Sequence, residues 1–249
     1  MDIRVRFSKY GPIKYVGHLD LMRYFQKSLR RSGLPISFSK GFSPHPVMSF
    51  ASPLGVGITS EGEYMDFSLD ENIALSGIKD ALNAQMAEGV EILSVTERQN
   101  TKKAMAELQG ASYLVYLKTS KEKFSADFMK QMINTKIKEA SSLIVTKKTK
   151  RSEREVDLKP LIYDIDVLPC FPAEKRDHYL SDWQYNDFLL SENDPVVYMK
   201  VCARSSDNLK PALLMDSLFG EGIFTIGVHR LDMFGIDDQE QLISLGEMS

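Results

Sequence analysis

A proline-rich stretch, residues 35–46, concentrates side chains that could bind a ligand or take part in a reaction. They are a cation, an aromatic ring, a hydroxyl and an imidazole, from Lys40, Phe42, Ser43 and His45. Residues that precede a proline avoid the helical region, so Ser43 and His45 should be extended, and Gly41 can adopt positive φ. Because binding residues concentrate in loops, this composition favours a rigid binding loop. The alternative is a stiffened turn that buries Phe42 in the core.

His18 and Asp20 lie where a predicted strand, residues 2–8, gives way to a predicted helix, residues 19–32. The N-terminal end of a helix disfavours protonation of an imidazole, which suits a general base or a hydrogen-bond donor. The alternative is that Asp20 caps the helix while His18 fills a half-buried position, since aspartate is a preferred N-cap residue. The sequence leaves both interpretations open.

The predicted first helix carries a basic stripe. Four cations recur at spacings of i, i+4, i+7 and i+8, which places them on one helical face. They are Arg23, Lys27, Arg30 and Arg31. Such a face can bind phosphate groups, although an ordinary amphipathic surface helix has the same pattern. The helix joins His18 to the proline-rich loop, so we predict a single substrate-binding concavity. Its expected members are His18, Asp20, Arg23, Lys27, Arg30, Lys40, Gly41, Phe42, Ser43 and His45.

Strand and helix patterns alternate over residues 1–98. Apolar and polar residues alternate in 2–8 and 63–69, as in half-buried strands, and apolar residues recur at helical spacing in 19–32 and 72–86. The remaining strands are predicted near 36–38, 47–51 and 90–95. The resulting β-α-β-β-α-β order predicts a ferredoxin-like domain of the α+β class.

The rest of the chain predicts a second domain. Residues 99–109 form a predicted connector, and residues 110–249 a second, irregular α+β domain, for which another ferredoxin-like fold is one option. An insertion is expected near residues 169–195. The predicted elements include a helix over 122–138 and a basic hairpin-like segment at 147–151.

Composition excludes several classes of protein. The 249 residues include two cysteines, Cys170 and Cys202, which are too widely spaced for a Cys-x-x-Cys metal site and too few for an iron–sulfur cluster. The four histidines contain no i, i+4 pair, so we expect no metal and no cofactor bound by this chain. No apolar run approaches the roughly 20 residues that span a bilayer. The N-terminus lacks the organisation of a signal peptide. We therefore expect a cytoplasmic protein with no membrane partner.

Charge is unevenly distributed along the chain. The net charge is −3, but residues 118–154 hold 11 Lys/Arg against 4 Asp/Glu, whereas residues 160–249 hold 6 against 16. This asymmetry is typical of a protein with one surface suited to polyanions and another that repels them. Two solvated faces without a partner would have the same charges.

Several segments together carry a resemblance to a known family. They are residues 16–23 (VGHLDLMR), 38–46 (FSKGFSPHP), 53–57 (PLGVG) and 61–66 (EGEYMD). The chain resembles the bacterial radical-SAM-linked proteins, a domain family of unknown function, and residues 143–161 also look familial. The resemblance implies a stand-alone form of the domain, with the radical SAM protein as a separately encoded partner. It also implies RNA as a possible ligand, because such domains often lie near genes for an E/G-type ribonuclease and for ribosomal proteins. No catalytic residue can be carried over from the family.

These observations favour an accessory protein that binds a substrate, RNA above all, for a separate radical SAM enzyme in tRNA or rRNA modification or processing. Two alternatives remain at this point. The chain is a metal-independent RNA-processing enzyme with His18 or His45 as general base, or it is a purely structural adaptor between proteins.

Overall fold

The computed structural model describes residues 1–98, 102–118, 124–148, 153–180, 193–222 and 225–248. The chain forms two compact units, one comprising residues 1–109 and 230–249 and the other residues 110–229. The sequence analysis assigns residues 230–249 to the second domain, whereas the structure groups them with the N-terminal unit. The reason is local packing, because Leu245 is buried and its carbonyl accepts a hydrogen bond from Arg4.

The helices and strands have the following bounds. The helices are α1 (His18–Arg31), α2 (Leu75–Asn83), α3 (Ala104–Glu107), α4 (Ala126–Ile133), α5 (Ala173–Tyr179) and α6 (Pro211–Phe219). The strands are β1 (Asp2–Lys9), β2 (Met48–Phe50), β3 (Thr59–Ser68), β4 (Val90–Glu97), β5 (Gly110–Lys118), β6 (Ile144–Lys148), β7 (Glu153–Asp157), β8 (Ile162–Leu168), β9 (Val196–Cys202), β10 (Thr225–Ile236) and β11 (Leu242–Ser244). Short 3₁₀ helices span Gly11–Tyr15 and Lys159–Leu161, and a π-helix spans Asn134–Glu139.

The sheet of the N-terminal unit places β1 between β4 and β3, with β2 on the other side of β3, and all these pairs are antiparallel. Val5 of β1 faces Met65 in β3, and Met65 also faces Phe50 in β2. The predicted β-α-β-β-α-β order is therefore present, and the predicted α+β class is confirmed. The strand expected near residues 36–38 is instead a pair of isolated bridges. Strand β10, which the sequence analysis assigns to the second domain, is a further neighbour of β3.

Helix α1 is fixed on the sheet by aromatic packing. The ring of Phe25 in α1 lies 4.8 Å from that of Phe7 in β1 and 5.6 Å from that of Phe50 in β2, centre to centre. All three rings are buried and meet tilted or edge-on, as aromatic pairs prefer. This packing anchors both α1 and the strand that follows the proline-rich loop.

A buried ionic cluster occupies the opposite face of β1. The Nε of Arg4 lies 2.8 Å from Asp66 Oδ1, and its Nη2 lies 2.7 Å from Glu107 Oε2. Asp66 Oδ2 also accepts from the backbone N–H of Ala104 at 2.7 Å, and Arg4 Nη1 donates to the Leu245 carbonyl at 2.9 Å. Arg4 is only 1% exposed. The half-buried character predicted for β1 and β3 is therefore wrong, because α3 and the C-terminal segment cover the second face.

Gly89 makes a close backbone approach that a side chain would prevent. Its φ is +89°, its carbonyl accepts from the Tyr10 N–H at 2.9 Å, and a Cβ on it would lie 2.4 Å from the Tyr10 carbonyl oxygen. We expect Gly89→Ala to lower the free energy of unfolding by about 1–3 kcal/mol, measured by urea denaturation. The matched control is Gly77→Ala in α2, where a Cβ has room. That change should raise stability by up to about 1 kcal/mol, and equal effects of the two substitutions would contradict the prediction.

The second unit includes residues 225–229 of β10. Its strand order is β10-β5-β9-β8, and β9 pairs antiparallel with both β5 and β8. Strands β6 and β7 form a separate antiparallel hairpin. The hairpin expected at the basic segment is thus present, although residues 149–152 lie outside the described residues. The helix predicted over residues 122–138 ends as an α-helix at Ile133 and continues as the π-helix. Helix α5 lies within the predicted insertion, of which residues 181–192 are also outside the described part.

Candidate functional site

His18 is the first residue of α1, and Gly17 is the N-cap residue. The imidazole of His18 meets the ring of Phe50 edge-on, with the ring centres 5.5 Å apart. Asp20 does not cap the helix, so that part of the alternative is wrong, whereas His18 is half-buried, as the alternative expected. Asp20 Oδ1 instead accepts from Arg23 Nη1 at 3.0 Å, and the Asp20 and Arg23 side chains are both 68% exposed. An exposed pair of this kind contributes little to stability.

A buried lysine holds the chain segment in front of His18. Lys9 is 1% exposed, and its Nζ donates to the carbonyls of Lys14 and Val16 at 3.3 and 2.8 Å. The Lys14 carbonyl also accepts from the Gly57 N–H at 2.9 Å. Burial lowers the pKa of Lys9. Two of the motif segments, residues 16–23 and 53–57, therefore meet at this end of α1.

The proline-rich loop is closed upon itself. The Ser39 N–H donates to the His45 carbonyl at 2.9 Å, the His45 N–H donates to Ser39 Oγ at 3.1 Å, and Ser39 Oγ lies 2.9 Å from His45 Nδ1. Between these residues the chain turns at Gly41, whose φ is +119°. Phe42 at the tip is fully exposed, with a relative accessibility of 112%. The alternative that Phe42 belongs to the core is therefore wrong.

Arg30 joins the loop to the C-terminal end of α1. Its Nη2 donates to the Pro44 carbonyl at 2.9 Å, and its guanidinium lies 5.5 Å from the centre of the Phe38 ring. His18 precedes Arg30 by 12 residues in the same helix, which at about 1.5 Å per residue is a separation of about 18 Å along the axis. The loop is thus attached to the end of α1 that is remote from His18.

The predicted site residues therefore fall into two groups rather than one concavity. His18, Asp20 and Arg23 lie in the first turns of α1, whereas the loop residues lie near its last turn. The physical reason is that the loops before and after a helix leave it at opposite ends, and the proline-rich loop closes locally instead of folding back. Lys27 lies on the exposed face between the two groups.

The group at the C-terminal end of α1 forms a basic and aromatic surface, which we call the α1–loop surface. Its members are all exposed and are Lys27, Arg30, Arg31, Phe38, Lys40, Phe42 and His45. Cations in the last turn of a helix interact favourably with the helix dipole, so Arg30 and Arg31 also have a structural use. The closed loop and the fully exposed Phe42 are not explained in that way. This combination of cations and exposed rings can bind a flat, negatively charged ligand.

The family model described as "Uncharacterized protein conserved in bacteria (DUF2344)" matches residues 2–211. The chain belongs to this family. A search of curated proteins finds no match to this DUF2344 member.

Solved structures similar to this DUF2344 protein include "Crystal Structure of a Cbf5-Nop10-Gar1 Complex", at 12% identity and a TM-score of 0.48, covering 98% of this chain and 53% of that chain. Another is "Structure of H/ACA RNP bound to a substrate RNA containing 2'-deoxyuridine", at 12% identity and a TM-score of 0.44, covering 99% and 51%. The chain spans about half the length of the solved chains it matches. At this identity and these TM-scores, the similarity carries no inference about function.

Among the described residues, no helix combines the length and the apolar character needed to cross a membrane. Within the same part of the chain, no three or more His, Cys, Asp or Glu side chains are grouped so that they could hold a metal ion.

His229, for which the sequence predicted no role, is buried in the second unit of this DUF2344 protein. Its ring centre lies 4.9 Å from that of Tyr179 and 5.8 Å from that of Phe171. Burial, with a smaller effect of the charge on Lys175, lowers the pKa of His229 to about 3. The imidazole is therefore neutral in the folded protein at neutral pH. Nothing in the local sequence indicated this, because the enclosing rings come from distant segments.

The buried imidazole predicts a pH dependence of stability. Unfolded His229 has a pKa near 6.5. As the pH falls below that value, the unfolded chain takes up a proton that the folded chain cannot, so the free energy of unfolding should fall until about pH 3. From pH 7 to pH 5 the loss should be about 2 kcal/mol. Urea denaturation of His229→Gln should show a flatter pH profile by that amount, and a profile equal to that of the wild type would contradict the prediction.

Proposed function

We propose that this protein is an RNA-binding accessory module that holds RNA for a separate radical SAM enzyme. The observation that carries the proposal is the full exposure of Phe42 at the tip of a closed loop, with cations beside it. Burying a phenylalanine side chain gains about 1.5–3 kcal/mol, so a ring left in water on an ordered loop is not explained by folding. A stacked base would cover that ring.

The structure of the loop favours binding of this kind. The hydrogen bonds between Ser39 and His45 and the bond from Arg30 to Pro44 hold the loop before a ligand arrives. A pre-ordered site loses less conformational entropy on binding. Phe38, 44% exposed and beneath the Arg30 guanidinium, offers a second surface on which a base can stack.

The cations of the α1–loop surface favour RNA over an uncharged ligand. Lys27, Arg30 and Lys40 are exposed. The Arg30 guanidinium lies 5.5 Å from the centre of the Phe38 ring, Lys27 precedes Arg30 by three residues in α1, and Lys40 lies between the two rings in the sequence of the loop. Positive side chains that follow a phosphate backbone, interleaved with aromatic rings that stack on bases, are the arrangement that binds single-stranded nucleic acid. The stem of an RNA duplex cannot stack on the rings, so unpaired RNA is the preferred form.

Replacing Phe42 tests the proposal directly. We expect Phe42→Ala to weaken binding of a fluorescently labelled single-stranded RNA by about 1–3 kcal/mol, because base–aromatic stacking is removed, measured by fluorescence anisotropy. Phe42→Trp should restore the affinity, since the ring is replaced by another ring. Phe128→Ala, which removes an exposed ring in the second unit, is the matched control and should change nothing. Unchanged affinity in Phe42→Ala would end the proposal for this surface.

The proposal of a radical SAM partner rests on the family resemblance alone. It is tested by capturing the tagged protein from cells of its own organism and asking whether a radical SAM protein co-purifies. Capture should survive nuclease treatment if the two proteins contact each other directly. A repeated capture without any radical SAM protein would contradict this part of the proposal.

A second candidate function is metal-independent RNA cleavage, favoured by the Ser39–His45 pair. The hydrogen bond between Ser39 Oγ and His45 Nδ1, 2.9 Å long, orients the His45 ring, and Lys40 follows Ser39 in the chain. A general base there would act on a ribose 2′-hydroxyl, with Lys40 stabilising the developing charge. The test is cleavage of RNA in a chelating buffer to products with cyclic phosphate ends. Activity that persists in His45→Ala would exclude this role for His45.

A further inference from the structure

A cleft of about 470 Å³ opens on the second unit, beside α4, the π-helix and β8. Its volume lies within the usual range for small-molecule sites. The residues that matter for its chemistry are Lys130, Ile133, Asn134, Lys138, Ile165 and Asp166. None of them belongs to the α1–loop surface, and Lys130 and Lys138 lie in the basic stretch of residues 118–154 that the proposed function leaves unexplained.

The change from α-helix to π-helix aligns the polar side chains of the cleft. Lys130, Asn134 and Lys138 are spaced four residues apart. Four residues overshoot one turn of an α-helix, which has 3.6 residues per turn, but fall short of one turn of the wider π-helix, with its i→i+5 bonds. Around the helix axis, Asn134 is therefore displaced from Lys130 in one direction, and Lys138 is displaced from Asn134 in the opposite direction. All three side chains line the same cleft, and π turns often occur at functional sites.

The two lysines are available for an anion. Lys136, on another side of the π-helix, donates to the carbonyls of Ser217 and Leu218 at 3.1 and 2.7 Å and so serves a structural purpose. Lys130 and Lys138 are exposed, and within the described residues neither forms an ion pair. An ammonium group is a common point-charge partner of phosphate.

The other walls of the cleft narrow the class of ligand. Asp166 is an exposed residue that lines the cleft, and its Oδ1 accepts from the Val167 N–H at 2.7 Å. A carboxylate repels a bare anion but accepts hydrogen bonds from hydroxyl groups, so the ligand should carry hydroxyls as well as phosphate. Ile133 and Ile165 are buried and give the cleft an apolar floor. A flat ring can cover that floor.

We propose that this cleft binds a ribonucleoside monophosphate. Its phosphate lies between Lys130 and Lys138, its ribose hydroxyls donate to Asp166, and its base covers Ile133 and Ile165. Asn134 lies between the two lysines in sequence, its Nδ2 donates to Glu139 Oε1 at 2.7 Å, and its Oδ1 can accept from the base. The site is separate from the RNA-binding surface proposed above and does not depend on it.

The test is calorimetric titration of the full chain with AMP, ribose 5-phosphate and inorganic phosphate. We expect AMP to bind, ribose 5-phosphate to bind more weakly, and inorganic phosphate to bind most weakly. Lys130→Gln and Lys138→Gln should each weaken AMP binding about tenfold or more, since each removes a charge-assisted hydrogen bond. Lys210→Gln, which removes an exposed cation of the same unit, is the control and should not change the affinity.

A separate binding measurement tests the role of Asp166. AMP should bind more tightly than its 2′,3′-dideoxy analogue, and Asp166→Asn should abolish most of that preference. The same variant should bind inorganic phosphate at least as tightly as the wild type, because a negative charge is removed. Absence of AMP binding at millimolar concentration would overturn the proposal. AMP binding that both lysine variants retain, or that Lys40→Ala abolishes, would overturn it too, since the ligand would then lie elsewhere.

Discussion

Replacing Arg4 by alanine is expected to lower the free energy of unfolding by about 3–5 kcal/mol, the cost of breaking a buried ionic cluster by removing one partner. The guanidinium is 1% exposed and contacts two carboxylates, those of Asp66 and Glu107, at 2.8 and 2.7 Å. Both carboxylates are buried, so each would lose its charged hydrogen bond from Arg4 in a poorly hydrated interior, and the Arg98 Nε that lies 3.5 Å from Asp66 Oδ2 would compensate only part of that loss. The measurement is equilibrium urea denaturation of the purified protein.

The control for this prediction is Arg23→Ala, which breaks a pair with the same type of partner, Asp20, on the surface. That change should cost less than about 1 kcal/mol, because water and salt screen exposed charges. If Arg4→Ala fails to accumulate as folded protein, Arg4→Lys keeps the charge without the bidentate geometry, and it should be intermediate. A loss of stability in Arg4→Ala no larger than that in Arg23→Ala would show that the cluster does not stabilise the fold.

The Arg4 cluster also shows where prediction from sequence stops. The alternation of apolar residues identified β1 and β3 correctly, because a period of two is a local property of the chain. It assigned Arg4 and Asp66 to a solvent face, however, since a polar residue opposite a buried one is ordinarily exposed. The groups that cover that face, Glu107 and Leu245, are 103 and 241 residues away from Arg4 in sequence. No local pattern indicates an interaction over that separation.

The candidate site, like the ionic cluster, could be predicted from the sequence only in part. The positive φ of Gly41 in the proline-rich loop was predicted correctly, because glycine acts on the backbone locally. The exposure of Phe42 could not be predicted, since an aromatic residue in such a loop fits either the core or the surface. The position of the loop beside Arg30 rather than His18 could not be predicted either, because it depends on hydrogen bonds that form only in the folded chain.

The π-helix is a third case. The apolar spacing of residues 122–138 predicted a helix, and a helix is present from Ala126 to Glu139. The change of helix type at Asn134 follows no recognised sequence signal. Within the π-helix, Lys136 contacts the last turn of α6, 81 and 82 residues later in the chain, and no local pattern indicates that contact. The π-helix, which brings Lys130 and Lys138 into one cleft, could therefore not be predicted from the sequence.

Removing three cations of the α1–loop surface is expected to weaken RNA binding by at least a hundredfold and to reduce its salt dependence. The variant is Lys27→Ala, Arg30→Ala and Lys40→Ala combined. Each cation that neutralises a phosphate releases counterions, so the slope of log affinity against log salt for single-stranded RNA should fall in magnitude by about 0.7 for each phosphate that is no longer neutralised. Removing all three cations should therefore reduce the slope by about 2. Anisotropy titrations at several salt concentrations measure both quantities.

A charge-matched variant separates specific binding from the effect of net charge. Arg23, Lys102 and Lys210 are exposed cations outside the α1–loop surface, and replacing all three by alanine changes the net charge by the same amount. If the RNA follows the α1–loop surface, this variant should keep nearly the wild-type slope, because the charges it removes do not neutralise phosphates. Equal slopes in the two triple variants would mean that RNA is attracted by overall charge alone. In that case the closed loop and its exposed phenylalanine would need another ligand, and Phe42→Ala would leave the RNA affinity unchanged.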